Sequence, residues 1–278
     1  MTKFGQDVLP QGVPLSRDYL SLLKADLFLE IESFSNSFVK YHCCKHDPLH
    51  QWSRQWEYPF AYSHIRNYTV SNGRSMQSND KIEILDAGSG FTFFPYYISH
   101  KHVNCNAYCC DYDHSLINLF DSANKKSNQY VDFKAYDLIN LGYKDSSFDI
   151  VYCISVLEHT SNHEKMFEQF KRVLKPNGLL IISFDVSLEN RDNSVKEAQN
   201  VLDRLNSKFE ATDVDLKVLN IKSEQEILTT RFAEKFYKNS LPWALTWSTA
   251  LSKLIKLKTP RKPFSYLTVF CSAWKSTK

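Results

Sequence analysis

Two acids and two glycines stand where a bound cofactor needs them. Asp86-Ala87-Gly88-Ser89-Gly90 closes a short apolar run, and Asp111 ends the next, 23 residues beyond Gly88. Glycine admits positive φ and lets a ligand approach the backbone. A Gly-x-Gly turn at the carboxyl end of a strand lies where open α/β sheets bind ligands. A carboxylate just before such a turn repels pyrophosphate, so Asp86 points to a cofactor carrying positive charge. Asp111 can accept two hydrogen bonds from ribose hydroxyls. His159 follows the fourth apolar run and is a candidate base for a hydroxyl acceptor; the other reading is a structural imidazole at a strand–helix junction. His64, His114 and His163 are secondary candidates. Trp52, Arg54, Trp56, Glu57, Tyr58 and Tyr62 combine aromatic faces with charges. They suit either an acceptor pocket or a packed lid. His42, Cys43, Cys44, His46 and His50 are possible zinc ligands, but no spaced second pair follows them, so no metal site is expected.

These residues need strands and helices to hold them. Residues 16–40 predict an amphipathic helix capped at Ser16, with Leu20, Leu23, Leu27, Ile31, Phe34 and Phe38 at three- and four-residue steps. Residues 71–80 form a polar linker. Beyond it, strands are expected at 82–85, 103–110, 130–135, 148–156 and 179–184, with helices between most of them. The helix at 161–175 carries a capping-box pattern, Ser161 with Glu164, and stops at Pro176-Asn177-Gly178. Alternating strands and helices argue a parallel sheet covered on both faces. The chain divides into a helical, aromatic-rich lid segment, 1–79, and a second domain, 80–278. Near the end, 241–257 reads as a helix followed by a basic stretch that could touch a membrane surface or pack on the sheet. Residues 264–274 read as a final strand.

The 278 residues, 43% hydrophobic and 23% charged, exclude a disordered chain. A net charge of +3 gives no reason to expect nucleic acid. No signal peptide or transmembrane segment is expected. Seven cysteines without framework spacing fit a reduced, cytoplasmic protein.

S-adenosylmethionine, with an ammonium, a sulfonium and no phosphate, suits Asp86. The sequence resembles the class I S-adenosylmethionine-dependent methyltransferases. The likeness is carried by Ile84–Gly90, Cys110–Asp113, Tyr136-Asp137-Leu138, Asp145–His159 and Leu174–Ser183, in that family's order and near its spacing. It implies a Rossmann-like, doubly wound, seven-stranded sheet, mostly parallel, whose last strand runs antiparallel at the edge. It also implies site roles. Gly88, Ser89 and Gly90 would pass the methionine part, with Asp86 near its ammonium. Asp111 would hold the ribose, Tyr112 would be a further cofactor contact, Asp137 and Leu138 would meet the adenine, and backbone at Cys153 or Ile154 would close over the methionine end. Thr92 stands where the family often has a third glycine, and is read as a helix cap. The function implied is methyl transfer to oxygen or nitrogen of a small-molecule or sugar acceptor, with Trp56, Tyr58 and Tyr62 as acceptor contacts. A non-catalytic adenosyl-binding protein and a nicotinamide-dependent enzyme are the alternatives.

Overall fold

The computed structural model describes residues 26–42, 49, 53–71, 81–188, 191–212, 229–230 and 267–277. Two helices come first, α1 (Asp26–His42) and α2 (Arg54–Ser71). Then strands and helices alternate: β1 (Ile82–Ala87), α3 (Phe94–Lys101), β2 (Cys105–Asp111), α4 (Leu116–Lys126), β3 (Val131–Ala135), β4 (Phe148–Ile154), α5 (His163–Val173) and β5 (Leu174–Ser187). α6 (Arg191–Asn206), β6 (Phe209–Ala211) and β7 (Leu267–Ser276) complete the order. A 3-10 turn, Leu157–His159, lies between β4 and α5.

One seven-stranded sheet results, in the order β3-β2-β1-β4-β5-β7-β6. β1 pairs in parallel with β2 and with β4, and Asp86 lies beside Tyr152 in the second pairing. All seven residues of β4 are buried, as expected for a central parallel strand covered on both faces. Side chains alternate between faces along each strand. Ile84, Ile150 and Ile181 therefore join one apolar cluster, with Trp56, Phe94 and Tyr97 from α2 and α3. Their neighbours Leu85, Val151 and Leu180 join the other, with Phe170, Leu202 and Trp274. α2 lies on the first face, where Tyr58 stacks on Phe94 at 4.4 Å between ring centroids.

The mostly parallel α/β sheet agrees with the sequence expectation, with local corrections. β7 runs antiparallel to β5, but it lies one strand in from the edge. The edge is β6, whose three residues are too few to carry a periodic signal. The cap of α5 is Asn162, which accepts from the Lys165 N–H, and not Ser161. Thr92 caps nothing: α3 opens after Phe93, without a side-chain cap bond. The Ser16 cap, most of the 42–50 cluster and the basic helix at 241–257 lie outside the described residues. Among the described residues no group of side chains is arranged to hold a metal ion, and no helix is long and apolar enough to cross a membrane.

Candidate active site

A cavity of about 760 Å³ opens at the carboxyl ends of β1, β2 and β4, within the roughly 300–1,000 Å³ of small-molecule sites. Asp86, Gly88, Ser89, Gly90, Asp111, Tyr112, Asp137, Leu138, Ile154, Tyr58 and His159 all line it. Of the residues given cofactor or acceptor contacts from the sequence, Cys153, Trp56 and Tyr62 do not. Cys153 points from β4 into the opposite apolar cluster, one residue out of phase with Ile154. Trp56 and Tyr62 are buried in the core between α2 and the sheet. Of the other histidines weighed as bases, His64 is buried against Phe60 and the His163 ring lies 2.9 Å from the Leu157 carbonyl; neither they nor His114 reach the cavity wall.

The turn after β1 is fixed by its neighbours. The Gly88 and Ser89 N–H groups donate to the Cys110 carbonyl at 2.8 and 3.0 Å. Gly88 has φ +78°, and a Cβ there would come within 2.7 Å of a Val156 methyl. Gly90 has φ +52°, and a Cβ there would meet nothing within 4 Å. Gly88 thus serves packing, while Gly90 leaves bare backbone facing the cavity. Asp111 clasps this turn: its Oδ2 accepts from the Gly90 N–H at 3.0 Å and its Oδ1 from the Asp113 N–H at 3.1 Å. Each oxygen keeps a second acceptor site for a ligand hydroxyl. Asp111→Ala should weaken adenosyl-ligand binding by about 10- to 150-fold, matching the loss of roughly 1.5–3 kcal/mol for bonds to a charged acceptor. Unchanged affinity in calorimetry would displace the ribose from this carboxylate.

Asp86 is 6% exposed. Burial pushes its carboxyl up to about 8; the Tyr152 hydroxyl and the Arg54 charge pull it down, and Asp111 pushes it further up. The folded chain therefore holds a proton that the unfolded chain releases above its ordinary value of 3.8. This group's contribution to stability is complete below that value and is lost as pH rises toward 8. Asp86→Asn should remove that slope, so the melting temperature of the variant gains on the parent's between pH 5 and 8. Parallel melting curves across that range would contradict the burial of this carboxyl.

α2 supplies a wall that was only partly read from the sequence. Arg54 and Tyr58, four residues apart on the helix, both line the cavity. Burial works to lower the Arg54 pKa, and the Glu57 carboxylate beside it raises it overall. Arg54 donates to Glu57 at 2.6 Å. Burial also raises the Tyr58 hydroxyl, to about 12. Tyr136, Ser155, Val156 and Asn162 complete parts of the wall. Tyr136, Ser155 and Val156 lie in segments that carried the resemblance but were given no role there, and Asn162 was not singled out. His159 ends the 3-10 turn, its N–H donating to the Val156 carbonyl at 2.9 Å, and lies exposed at the cavity wall.

The donor set fits an adenosyl cofactor bearing an amino acid. Open backbone at Gly90 admits close approach, Asp111 has acceptor sites to spare, and Asp86 is a buried carboxyl whose ionised form an incoming cation would favour. Residues 85–182 match the methyltransferase domain family. Phosphoethanolamine N-methyltransferase of Plasmodium falciparum is 26% identical over 152 residues, 50% of this chain and 56% of that protein. Ubiquinone biosynthesis O-methyltransferase of Rickettsia akari is 30% identical over 103 residues, 37% of this chain and 40% of that protein. An uncharacterized protein of Methanocaldococcus jannaschii is 32% identical over 114 residues, 41% of this chain and 44% of that protein. The chain spans about half the length of the curated relatives it matches. Sheet order, glycine turn, strand-end acids and the matched segment agree: residues 85–182 belong to the class I S-adenosylmethionine-dependent methyltransferase domains.

Proposed function

We propose that the chain binds S-adenosylmethionine in this cavity and transfers its methyl group to an oxygen or nitrogen of a small-molecule or sugar acceptor. The observation that carries the reading is the juxtaposition, in one cavity, of the Gly88–Gly90 turn, the Asp86 and Asp111 carboxylates and His159. The bound cofactor supplies a methyl group already activated by sulfonium. What remains for the protein is alignment, exclusion of water and handling of one proton. Gly88, Ser89 and Gly90 hold the methionine part, Asp111 and Tyr112 the ribose, and Asp137 and Leu138 the adenine. Ile154 lies at the methionine end, with Asp86 facing the ammonium. His159 takes the proton of an acceptor hydroxyl on a ring nitrogen; an amine acceptor arrives neutral and needs no base. The relatives named for N- and O-methylation support both acceptor classes.

The lid role is proposed for the N-terminal segment, 1–79, with Tyr58 as its contact with the acceptor. Support comes from α2, which forms part of the cavity wall. A cytoplasmic setting is supported by the described cysteines Cys105, Cys109, Cys110, Cys153 and Cys271, all buried and free, a state that a reducing compartment maintains. A nicotinamide site is disfavoured by Asp86, a buried carboxyl whose ionised form a cationic ligand favours and a pyrophosphate disfavours. The test is release of S-adenosylhomocysteine from S-adenosylmethionine across a panel of hydroxyl and amine acceptors. Turnover with one class supports the reading. Binding of the cofactor without turnover on any acceptor would favour a non-catalytic adenosyl-binding protein.

A further inference from the structure

One buried carboxylate ties α2 to the sheet. Glu57 is 1% exposed. Its Oε1 accepts from the Ser155 hydroxyl at 2.7 Å and the Ser183 hydroxyl at 2.5 Å, and its Oε2 accepts from Arg54 at 2.6 Å. A helix can be anchored to a sheet by apolar side chains without the desolvation that a carboxylate suffers. Here the bonds converge on two features of the cavity wall. Ser155 has φ +49°, a left-handed backbone that costs a residue with a Cβ. Its N–H donates to the Ser183 carbonyl at 3.0 Å, so both its backbone and its side chain are tied. Arg54 and Asp86 both line the cavity. A cation and a buried carboxyl thus share the wall of one cavity.

We propose that Glu57 is a positioning residue. It holds Ser155 in its left-handed turn and fixes the Arg54 guanidinium on the cavity wall that also carries Asp86, so that Arg54 meets the carboxylate of the cofactor's amino-acid end while the ammonium draws the buried Asp86 carboxyl into its ionised form. The proposal rests on the cofactor reading above and assigns α2 a part in ligand selection. Arg54 is the group that meets the carboxylate; Glu57 acts through it.

Two probes separate this role from a structural one. S-adenosylhomocysteine carries the α-ammonium and α-carboxylate, whereas 5′-methylthioadenosine keeps the adenosine and thioether and lacks both. In calorimetry on the full chain, Arg54→Met should weaken S-adenosylhomocysteine by about 10- to 150-fold, as for lost bonds to a charged group, and leave 5′-methylthioadenosine within about twofold. Glu57→Gln should show the same selectivity at roughly tenfold, and Arg54→Lys should recover part of the loss. Variants that lose both ligands equally, or neither, overturn the proposal by making the cluster structural. If Glu57→Gln does not fold, the two Arg54 variants carry the same discrimination. A parent chain that binds neither probe overturns the cofactor reading itself, and the inference with it.

Discussion

Replacing His159 with asparagine lowers turnover on a hydroxyl acceptor by roughly 10²–10⁴-fold, the usual share of general base catalysis. Asparagine keeps similar bulk and a polar end but cannot take the proton. The residue is exposed on the 3-10 turn, and the turn's bond at this point is made by the His159 backbone, not by the imidazole. The substitution should therefore leave folding and S-adenosylhomocysteine affinity nearly unchanged. Turnover near the parent level on a hydroxyl acceptor would make His159 a wall residue without proton chemistry. With an amine acceptor only a modest effect is expected, because no base is required.

The second large effect belongs to Gly88. An alanine at φ +78° occupies the left-handed region, at about 1–3 kcal/mol, and its Cβ would press on both Val156 γ-methyls, at 2.7 and 2.9 Å. Valine is stiff at χ1, so the contact is relieved by moving backbone, an overpacking cost of about 1–3 kcal/mol. Together Gly88→Ala should lower the unfolding free energy by roughly 2–6 kcal/mol. Gly90→Ala is the matched comparison. Its φ is +52° and its Cβ would meet open space, so it pays the backbone term alone, about 1–2 kcal/mol. Its loss should appear instead as weaker binding, because the methyl group intrudes where the ligand passes. Denaturant titrations of the two variants check the ordering; equal destabilisation would contradict the division of labour within the turn.

The elements that position this turn were legible because their signal is local. β1 and β4 are short apolar runs, and the acids fall at strand ends. Other features depend on partners distant in sequence. Ser161 and Asn162 are both competent caps, and the capping box required Glu164 to turn back toward Ser161. Glu164 instead pairs with Lys208 at 2.6 Å and Arg204 at 3.3 Å, so the cap falls to Asn162. Glu57 and Arg54 were visible only as charges in an aromatic stretch. Their meaning comes from Ser155 and Ser183, 98 and 126 residues from Glu57. Trp56 shares that stretch with Tyr58, yet helical rotation sends it into the core while Tyr58 reaches the cavity. Cys153 and Ile154 could not be separated without the phase of β4, which turns alternate side chains to opposite faces.

The central claim is that the cavity at Asp86, Gly88, Gly90 and Asp111 is an adenosyl-cofactor site. Calorimetric titration of the full chain with S-adenosylmethionine, with reduced nicotinamide dinucleotide titrated in parallel, tests it most directly. The account predicts one saturable site for S-adenosylmethionine, whose cationic groups favour the ionised form of the buried Asp86 carboxyl, and no binding of the dinucleotide, whose pyrophosphate gains nothing from that acid. Absence of S-adenosylmethionine binding, or saturable binding of the dinucleotide, would contradict it.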